Sequence, residues 1–433
     1  MDIFEAIYIG VLEDDIADEE REEHSRLAIL AAGAIILESL ENRRLRSARR
    51  QRLYLVRPDL LPNPRAGTPW QRLLARNNDR AFITTMGIDV ETFQYLLDSG
   101  FARAWETTPI PRPDQPMTAA PRNSRRSLDA AGALGLVLHW LSSTMHDVSL
   151  MQIFALIPST VSRYIKFSLS ILLQVLRTIP EGRIVWPEGD EFQANNDLVL
   201  ARHPLLTGAF GTMDGLNLMV QESADEDMEN ATFNGWLHEH FVSSVFAFGA
   251  SGVIIACRLN APGSWHDARV ARPIYEKLRT ATPEGYYLVT DTAFPRGTDQ
   301  IAGRIQAPMK SGTRLPEDPG ERSEVMARDR QLLSYRQTAE WGMRGLQGSF
   351  GRLRVPLEIN HADLRADLLE TSARMFQVRT RRVGINQIRT VYMPTWMDDD
   401  DQRSIWNDFE NILFRDQRRL DRVARYHLIE YDE

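Results

Sequence analysis

The sequence is very poor in cysteine. Its one cysteine, Cys257, lies within the apolar run VIIACRLN. A single cysteine cannot form an internal disulfide, and a zinc cluster would need other ligands. We therefore interpret Cys257 as a small buried strand residue. A reducing, intracellular location fits this composition.

Long apolar runs are also missing. No stretch approaches the ~20 apolar residues of a membrane span. The most apolar early run, Leu27 to Leu40, is interrupted by Glu38 and flanked by charge. This run has neither a basic leader nor a cleavage site, which argues against a signal peptide. We expect no membrane partner.

Positive charge is not in excess, and lysine is nearly absent. The formal net charge is −8, and the only lysines are Lys166, Lys277 and Lys310. This excludes a chain that is basic over its whole surface, but clustered arginines can still bind nucleic acid. Arginine is also the better bidentate phosphate ligand.

The chain is long enough for two or three domains, with 433 residues of which 43% are apolar. We assign residues 1–69 to an N-terminal helical accessory segment with a linker, and residues 70–200 to a helical region. Residues 201–395 form a mixed α/β domain in this assignment. Residues 396–433 form an acidic and helical tail, in which Asp398 to Asp401 precede an arginine-rich helix.

Two blocks of opposite charge lie near the N-terminus. Residues 13–23 are strongly acidic, and residues 43–52 are dense in arginine. Such blocks can pair within the chain or form a surface for a partner. A solvated helix face is a third interpretation for each block, and all three stay open.

Helical patterns dominate residues 70–178, with short helices predicted at Trp70–Asn77 and Asp89–Asp98. A helix capped near Asp129 is followed by a short helix at Val148–Leu156 and a long one that starts at Pro158. The last two resemble a helix-turn-helix. In that interpretation the DNA-facing residues are Ser159, Thr160, Ser162, Arg163 and Lys166. A three-helix bundle that only supports the next domain stays open.

The pattern changes to strands from about residue 205. Runs rich in β-branched and aromatic residues predict strands at Ala209–Gln221, Val242–Phe248, Val253–Leu259 and Tyr286–Thr290, with a short fifth at Arg304–Met309. Helices are predicted at His266–Arg279 and at about 328–346. This order matches an RNase H-like mixed sheet. We therefore predict an α/β fold with an RNase H-like catalytic domain and an N-terminal all-α, helix-turn-helix-like region.

Three carboxylates occupy notable positions in this order. Asp214 falls on the first strand, Asp291 just past the fourth, and Glu340 on the late helix. In an RNase H-like sheet these positions converge at one end. Hard divalent cations prefer oxygen ligands, and a pair of them can activate a water or a 3′-hydroxyl at a phosphodiester. We predict that the three residues are catalytic and bind two Mg²⁺ or Mn²⁺ ions.

Asp267 is a fourth candidate. It could be an outer metal ligand, a group that orients His266, or the cap of the helix that begins there. His266 itself could be a metal ligand or a proton shuttle, or simply a packed, hydrogen-bonded histidine. For the third ligand, the upstream alternatives to Glu340 are Asp329 and Glu324.

Three basic residues are candidates for phosphate contacts: Lys310, Arg314 and Arg344. Arg344 lies one helical turn after Glu340 and could pair with it instead. The acidic loop at residues 222–229 is interpreted as solvated, flexible surface rather than as part of the site.

Five segments in the right order resemble the DDE endonuclease domain of PIF/Harbinger-type transposases. They are GTMDGLNL, FNGWLHEHFVSSVFAFGASGVIIA, APGSWHDARV, VTDTAFP and RQTAEWGMRGLQGSFGRL. The resemblance covers about residues 200–395, and residues 70–180 match only loosely. Many relatives have a small residue, Gly and Tyr after the second aspartate, where this chain has Thr-Ala-Phe.

The resemblance implies a metal-dependent DNA endonuclease or transposase, with Asp214, Asp291 and Glu340 as its catalytic triad. A catalytically inactive, domesticated DNA- or protein-binding module of the same fold is the alternative, and an RNase H-like enzyme acting on RNA is a third possibility. The family often works with a separate Myb-like DNA-binding protein. We therefore expect DNA and such a protein as partners, a homo-oligomer, and a nuclear location that depends on partner-assisted import, with a cytoplasmic location otherwise.

Overall fold

The computed structural model describes residues 3–53, 55–111, 120–294, 301–310, 312–386 and 388. The chain forms two compact units, residues 1–63 and residues 64–433. The predicted tail at residues 396–433, with Asp398 to Asp401 and its arginine-rich helix, lies outside the described residues.

The first unit consists mainly of one continuous helix, α1 (Ile3–Leu53), followed by the single turn α2 (Arg57–Leu60). The acidic block and the arginine-rich block therefore lie at opposite ends of the same helix. Because a continuous helix cannot fold back on itself, the two blocks do not pair with each other within α1. That interpretation of the charge pattern was wrong.

Four short helices open the second unit: α3 (Pro69–Arg76), α4 (Asp79–Met86), α5 (Val90–Leu96) and α6 (Ala102–Thr107). The first three begin at side chains that accept a backbone N–H of the first turn, namely Thr68, Asn78 and Asp89. The sequence pattern located α3 and α5 but not α4. The sequence does contain two local signals for α4: Asn78 caps its start, and Gly87 adopts the left-handed conformation at its end.

A helical layer follows, built from α7 (Ala130–Ser142), α8 (Asp147–Phe154) and α9 (Pro158–Thr178). Asp129 caps α7 as predicted, because its Oδ1 accepts the N–H of Gly132 at 2.7 Å. The axes of α8 and α9 meet at 91°, the bend expected for a helix-turn-helix-like region.

In the described part of the chain no single helix is long and apolar enough to span a bilayer. The bent pair α8 and α9 qualifies only jointly, by length and composition.

The remaining elements form the mixed α/β part. In chain order they are α10 (Glu191–Leu200), β1 (Ala209–Met219), α11 (Glu226–Thr232), β2 (Phe233–Asn234), β3 (Glu239–Gly249), β4 (Ile254–Pro262), α12 (Asp267–Val270), α13 (Arg272–Thr280), β5 (Tyr287–Thr290), β6 (Ile305–Gln306), α14 (Pro319–Ser349) and α15 (Ala362–Val378). The single helix predicted at 266–279 is two helices that meet at Ala271. The helix predicted at about 328–346 corresponds to α14, which begins earlier, after the N-cap Asp318.

The sheet has the strand order β4–β3–β1–β5–β6, and the short β2 also pairs with β3. The pairs β1/β3 and β3/β4 are antiparallel, whereas β1/β5 and β5/β6 are parallel. This mixed order confirms the predicted RNase H-like fold.

Alternate residues of the central strands enter different cores, as the two-residue period of a strand requires. On β3, Phe246 and Phe248 join the helical layer, while Val245 and Ala247 face the core formed with α12 and α13. Through Phe246 and Phe248, one face of the sheet shares a hydrophobic core with the helical layer. Within it, α14 lies so close to β3 that a Cβ at Gly342 would come within 2.7 Å of the Phe248 ring.

Gly342→Ala should destabilise the second unit by about 1–3 kcal/mol, because the new methyl overlaps a ring that has no room to move. Gly348→Ala is the matched control on the same helix, since no atom lies within 4 Å of its added Cβ. That control should be neutral or stabilising by up to about 1 kcal/mol. Chemical denaturation of both variants measures the difference, and equal effects would contradict the close packing.

Candidate active site

The candidate site begins where the parallel pairing of β1 with β5 ends. Met213 of β1 lies opposite Thr290 of β5. The next residue along the chain is an aspartate in both cases, Asp214 within β1 and Asp291 just after β5. Adjacent strands are about 4.8 Å apart. The chain therefore brings these two carboxylates to one edge of the sheet. Asp214 is half-buried, whereas the side chain of Asp291 is 44% exposed.

The late helix α14 supplies the third carboxylate. A buried hydrogen bond joins the hydroxyls of Thr212 on β1 and Thr338 on α14 at 3.0 Å. Because side chains two apart on a strand share a face, Asp214 lies on the same side of β1 as Thr212 and α14. Glu340 lies two residues beyond this contact. The hydrogen bond thus sets the position of α14 along β1 and brings Glu340 toward the aspartates.

An arginine that the sequence reasoning missed lies among these carboxylates. Arg336 Nη2 contacts Oε1 of Glu340 at 3.0 Å, and its Nη1 lies 3.9 Å from Oδ2 of Asp291. The signal for the first pair was available, since Arg336 precedes Glu340 by four residues on a predicted helix. Its approach to Asp291 could not be predicted, because it depends on how α14 packs against the sheet.

Asp267 reaches the same region from another direction. A Cβ at Gly215 would lie 2.4 Å from Oδ2 of Asp267, so only a glycine after Asp214 leaves room for this carboxylate. Neighbouring residues of a strand point to opposite faces. Asp267 therefore contacts β1 on the face opposite to the Asp214 side chain. This position favours a supporting electrostatic role for Asp267 over direct coordination of the same cation as Asp214.

The loop before Asp267 is held in place by close backbone packing. A Cβ at Gly263 would lie 2.3 Å from the carbonyl oxygen of Phe241, which explains the glycine in the segment APGSWHDARV. His266 is the N-cap of α12, with Nδ1 accepting the N–H of Ala268 at 3.3 Å. Capping therefore falls to His266, and Asp267 is the first residue of the helix.

Burial, with a contribution from neighbouring charges, raises the pKa of two carboxyl groups in the site. Burial raises the pKa of Asp214 to about 6, and the negative charges of Asp291 and Asp267 add to the rise. The N–H of Gly215, donated to Oδ1 at 2.8 Å, and the Arg336 guanidinium act in the opposite direction. Burial also raises the pKa of Asp267, and Asp291 contributes to that rise. The site is thus short of positive charge when its acids are ionised.

This donor set suits a hard divalent cation by its chemistry, because it offers carboxylate oxygens and an excess of negative charge. Within the described residues, however, no three His, Cys, Asp or Glu side chains are grouped closely enough to hold one ion as they stand. Arg336 contacts Glu340 at 3.0 Å, so a cation at this carboxylate would compete with the guanidinium.

The three basic residues predicted to contact phosphate have different surroundings. Arg344 is exposed on α14, one turn beyond Glu340, and Lys310 is exposed after β6. Arg314 forms a fully solvated pair with Glu317 at 3.0 Å. The alternative third ligand Asp329 accepts the N–H of Met309 at 2.6 Å, and Glu324 is exposed near the start of α14.

The helix-turn-helix candidates lie on another element, in the first turns of α9, which packs against α7 and α15. Ser159 and Lys166 are exposed, while Thr160 and Arg163 are partly buried. The acidic loop is mostly exposed, in agreement with its interpretation as solvated surface. Part of it forms the short helix α11, which Asp225 caps, and Glu229 contacts His240 at 2.9 Å.

Residues 213–378 match the family model described as DDE superfamily endonuclease. The matched segment contains all four acidic candidates together with Arg336. No curated protein and no solved structure matches the chain.

Asp214→Asn should stabilise the metal-free protein at pH 8. A carboxyl group whose pKa is raised on folding destabilises the folded state when it is ionised. For Asp214 this destabilisation is absent below about pH 4 and complete above the folded-state pKa of about 6. We expect a gain of roughly 1–3 kcal/mol in the free energy of unfolding at pH 8 and little change at pH 4. Denaturation in EDTA measures it, with the exposed Asp227→Asn as control. A loss of stability at pH 8 would contradict the electrostatic account.

Proposed function

We propose that the domain that matches the DDE superfamily endonuclease model is a divalent-metal-dependent DNA nuclease of the transposase type. The supporting observation is the geometry of one sheet edge. Asp214 and Asp291 follow the last matched pair of the parallel strands β1 and β5, and α14 carries Glu340 toward them. The resemblance to PIF/Harbinger-type transposases supports the finer assignment, in which cleavage is followed by strand transfer.

Asp214, Asp291 and Glu340 would hold two Mg²⁺ or Mn²⁺ ions, which when bound would activate the attacking water or 3′-hydroxyl and stabilise the leaving oxygen. Neighbouring groups of the protein hold these carboxylates in position. The Gly215 N–H fixes one oxygen of Asp214, and the Thr212–Thr338 hydrogen bond fixes α14. Asp267 contributes negative charge behind β1, which strengthens cation binding in front of it.

Asp214→Asn, Asp291→Asn and Glu340→Gln should each lower Mg²⁺- or Mn²⁺-dependent DNA nicking by at least about a hundredfold, more than is typical for groups that only support a ligand. Each variant keeps the side-chain shape and removes one charged ligand. Nicking of a supercoiled plasmid is the measurement. The control is Asp227→Asn, an exposed acid on α11 that should retain full activity. Wild-type nicking by the Asp214 variant would refute the proposal.

Arg336 should compete with the cations for Glu340. Arg336→Met removes the positive charge while keeping much of the aliphatic stem, so we expect Mn²⁺ to bind about three- to tenfold more tightly, as measured by calorimetry. Arg314→Met is the matched control, because Arg314 pairs with an exposed glutamate outside the site. Unchanged or weaker Mn²⁺ binding by the Arg336 variant would show that Arg336 is not a competitor.

The second candidate function is a DNA- or protein-binding module that has lost catalysis. One observation favours it: Glu340 is engaged with Arg336, and within the described residues three acids do not form a ready-made metal cluster. Calorimetry separates the two candidates, since the inactive module would bind neither Mg²⁺ nor Mn²⁺. If the ions bind, cleavage of matched DNA, RNA and hybrid substrates distinguishes a DNA enzyme from one that acts on RNA.

DNA contacts are proposed on two surfaces. The first comprises Ser159, Thr160, Arg163 and Lys166 in the first turns of α9, and the second comprises Lys310, Arg314 and Arg344. Arginine and lysine contacts to phosphate make binding strongly dependent on salt. A homo-oligomer, a Myb-like DNA-binding partner and import into the nucleus with that partner complete the proposal, and the family resemblance supports the partner and the import.

A further inference from the structure

Helix α1 exposes a large apolar surface. Eight big aliphatic side chains between residues 27 and 45 are each 50–69% exposed, namely Leu27, Ile29, Leu30, Ile35, Ile36, Leu37, Leu40 and Leu45. Between residues 27 and 37 the helix is apolar on every side, with the sequence LAILAAGAIIL. A contiguous exposed apolar patch is typical of an interaction site, because its exposure to water is unfavourable.

Charge is distributed symmetrically about this apolar segment. Residues 13–23 contain eight acids and one arginine, and residues 43–52 contain six arginines and no acid. The two blocks are centred near positions 18 and 48, each fifteen residues from Gly33. At 1.5 Å of rise per residue, each centre lies about 22 Å from Gly33 along the helix.

The symmetry selects one kind of partner. A second α1 laid antiparallel, with Gly33 opposite Gly33, places the acidic block of each copy beside the arginine block of the other. A parallel pair would instead place like charges side by side, which is unfavourable. The antiparallel arrangement is closed by a two-fold axis, so the same surface serves both copies.

We propose that α1 is an antiparallel dimerisation helix whose partner is the α1 of a second copy of this chain. The apolar segment around Gly33 forms the buried centre, and the charge blocks set direction and register. The alanines and the glycine in the middle of the segment let the two backbones approach closely at the two-fold axis. This inference is independent of the proposed nuclease activity, because none of its residues belongs to the second unit.

A lipid surface is the competing occupant. The run from Leu27 to Leu40 is 14 residues long and contains Glu38. As a helix it reaches only about 21 Å, less than the ~30 Å hydrocarbon core of a bilayer. The opposite charges at its two ends also match a second copy better than a surface of uniform charge.

The oligomeric state of the full chain tests the proposal. Sedimentation of the wild-type protein should show a dimer at micromolar concentration. Ile29→Gln, Leu30→Gln, Ile36→Gln and Leu37→Gln combined should raise the dimer Kd at least about a hundredfold, because glutamine keeps helix propensity and charge but removes the apolar surface. The matched control replaces exposed apolar residues of α14 with glutamine, at Val325, Met326 and Leu333, and should remain dimeric.

Cysteine cross-linking tests the direction of the helices. An equal mixture of Asp18→Cys and Ala48→Cys proteins should form mixed disulfides, whereas each variant alone should form few. The native Cys257 is largely shielded by its strand environment and serves as the background in both. Efficient Asp18→Cys self-linking would indicate a parallel pair and overturn the proposal.

Two further outcomes would also overturn it. One is a wild-type chain that stays monomeric at tens of micromolar in low salt. The other is a monomer that floats with neutral phosphatidylcholine vesicles, which would assign the apolar segment to lipid. Circular dichroism of the glutamine variant shows whether α1 is still helical, so a loss of dimer can be assigned to the surface rather than to unfolding.

Discussion

The parallel pairing of β1 with β5 is the constraint on which the candidate site depends. In a parallel pair both chains run toward the same edge, so residues that follow matched positions must emerge together. Met213 and Thr290 are matched, and an aspartate follows each. Two like charges are thereby forced together at a partly buried edge, and much of the surrounding structure offsets their repulsion. Burial is the main cause of the raised pKa of Asp214, and the charge of Asp291 adds to the rise.

Compensation for this repulsion comes from α14. The helix is placed by the buried Thr212–Thr338 hydrogen bond and by the missing side chain at Gly342, which lets it lie against the Phe248 ring. From that position Arg336 contacts Glu340 and lies beside Asp291. A guanidinium and a divalent cation are alternative ways to balance the same carboxylates, which is why the site can be read both as a nuclease centre and as a structural ion-pair network.

The helical layer is part of the same folding problem. Phe246 and Phe248 of β3 share a core with helices α7 to α9, so these helices support the sheet whatever they bind. The first turns of α9 offer polar residues to a ligand, whereas most of the later residues of the helix are buried. Helix α1 shows the opposite situation. Its large apolar side chains between residues 27 and 45 are exposed.

Much of the fold could be inferred from the order of residues. Strand periodicity, the caps at Asp89 and Asp129 and the placement of acids at Asp214 and Asp291 depend on local pattern, and a local pattern is written in neighbouring residues. The strand order could be predicted from the order of helices and strands along the chain, because connections between successive elements have few permitted arrangements. The glycine after Asp214 was also visible, although its reason was not: it leaves space for Asp267, more than fifty residues away in the chain. Only the tertiary structure placed Arg336 beside Asp291, Asp267 behind β1 and the two charge blocks at opposite ends of one helix. Those features depend on how distant elements pack, or on whether a helix continues unbroken, and no short-range pattern specifies either.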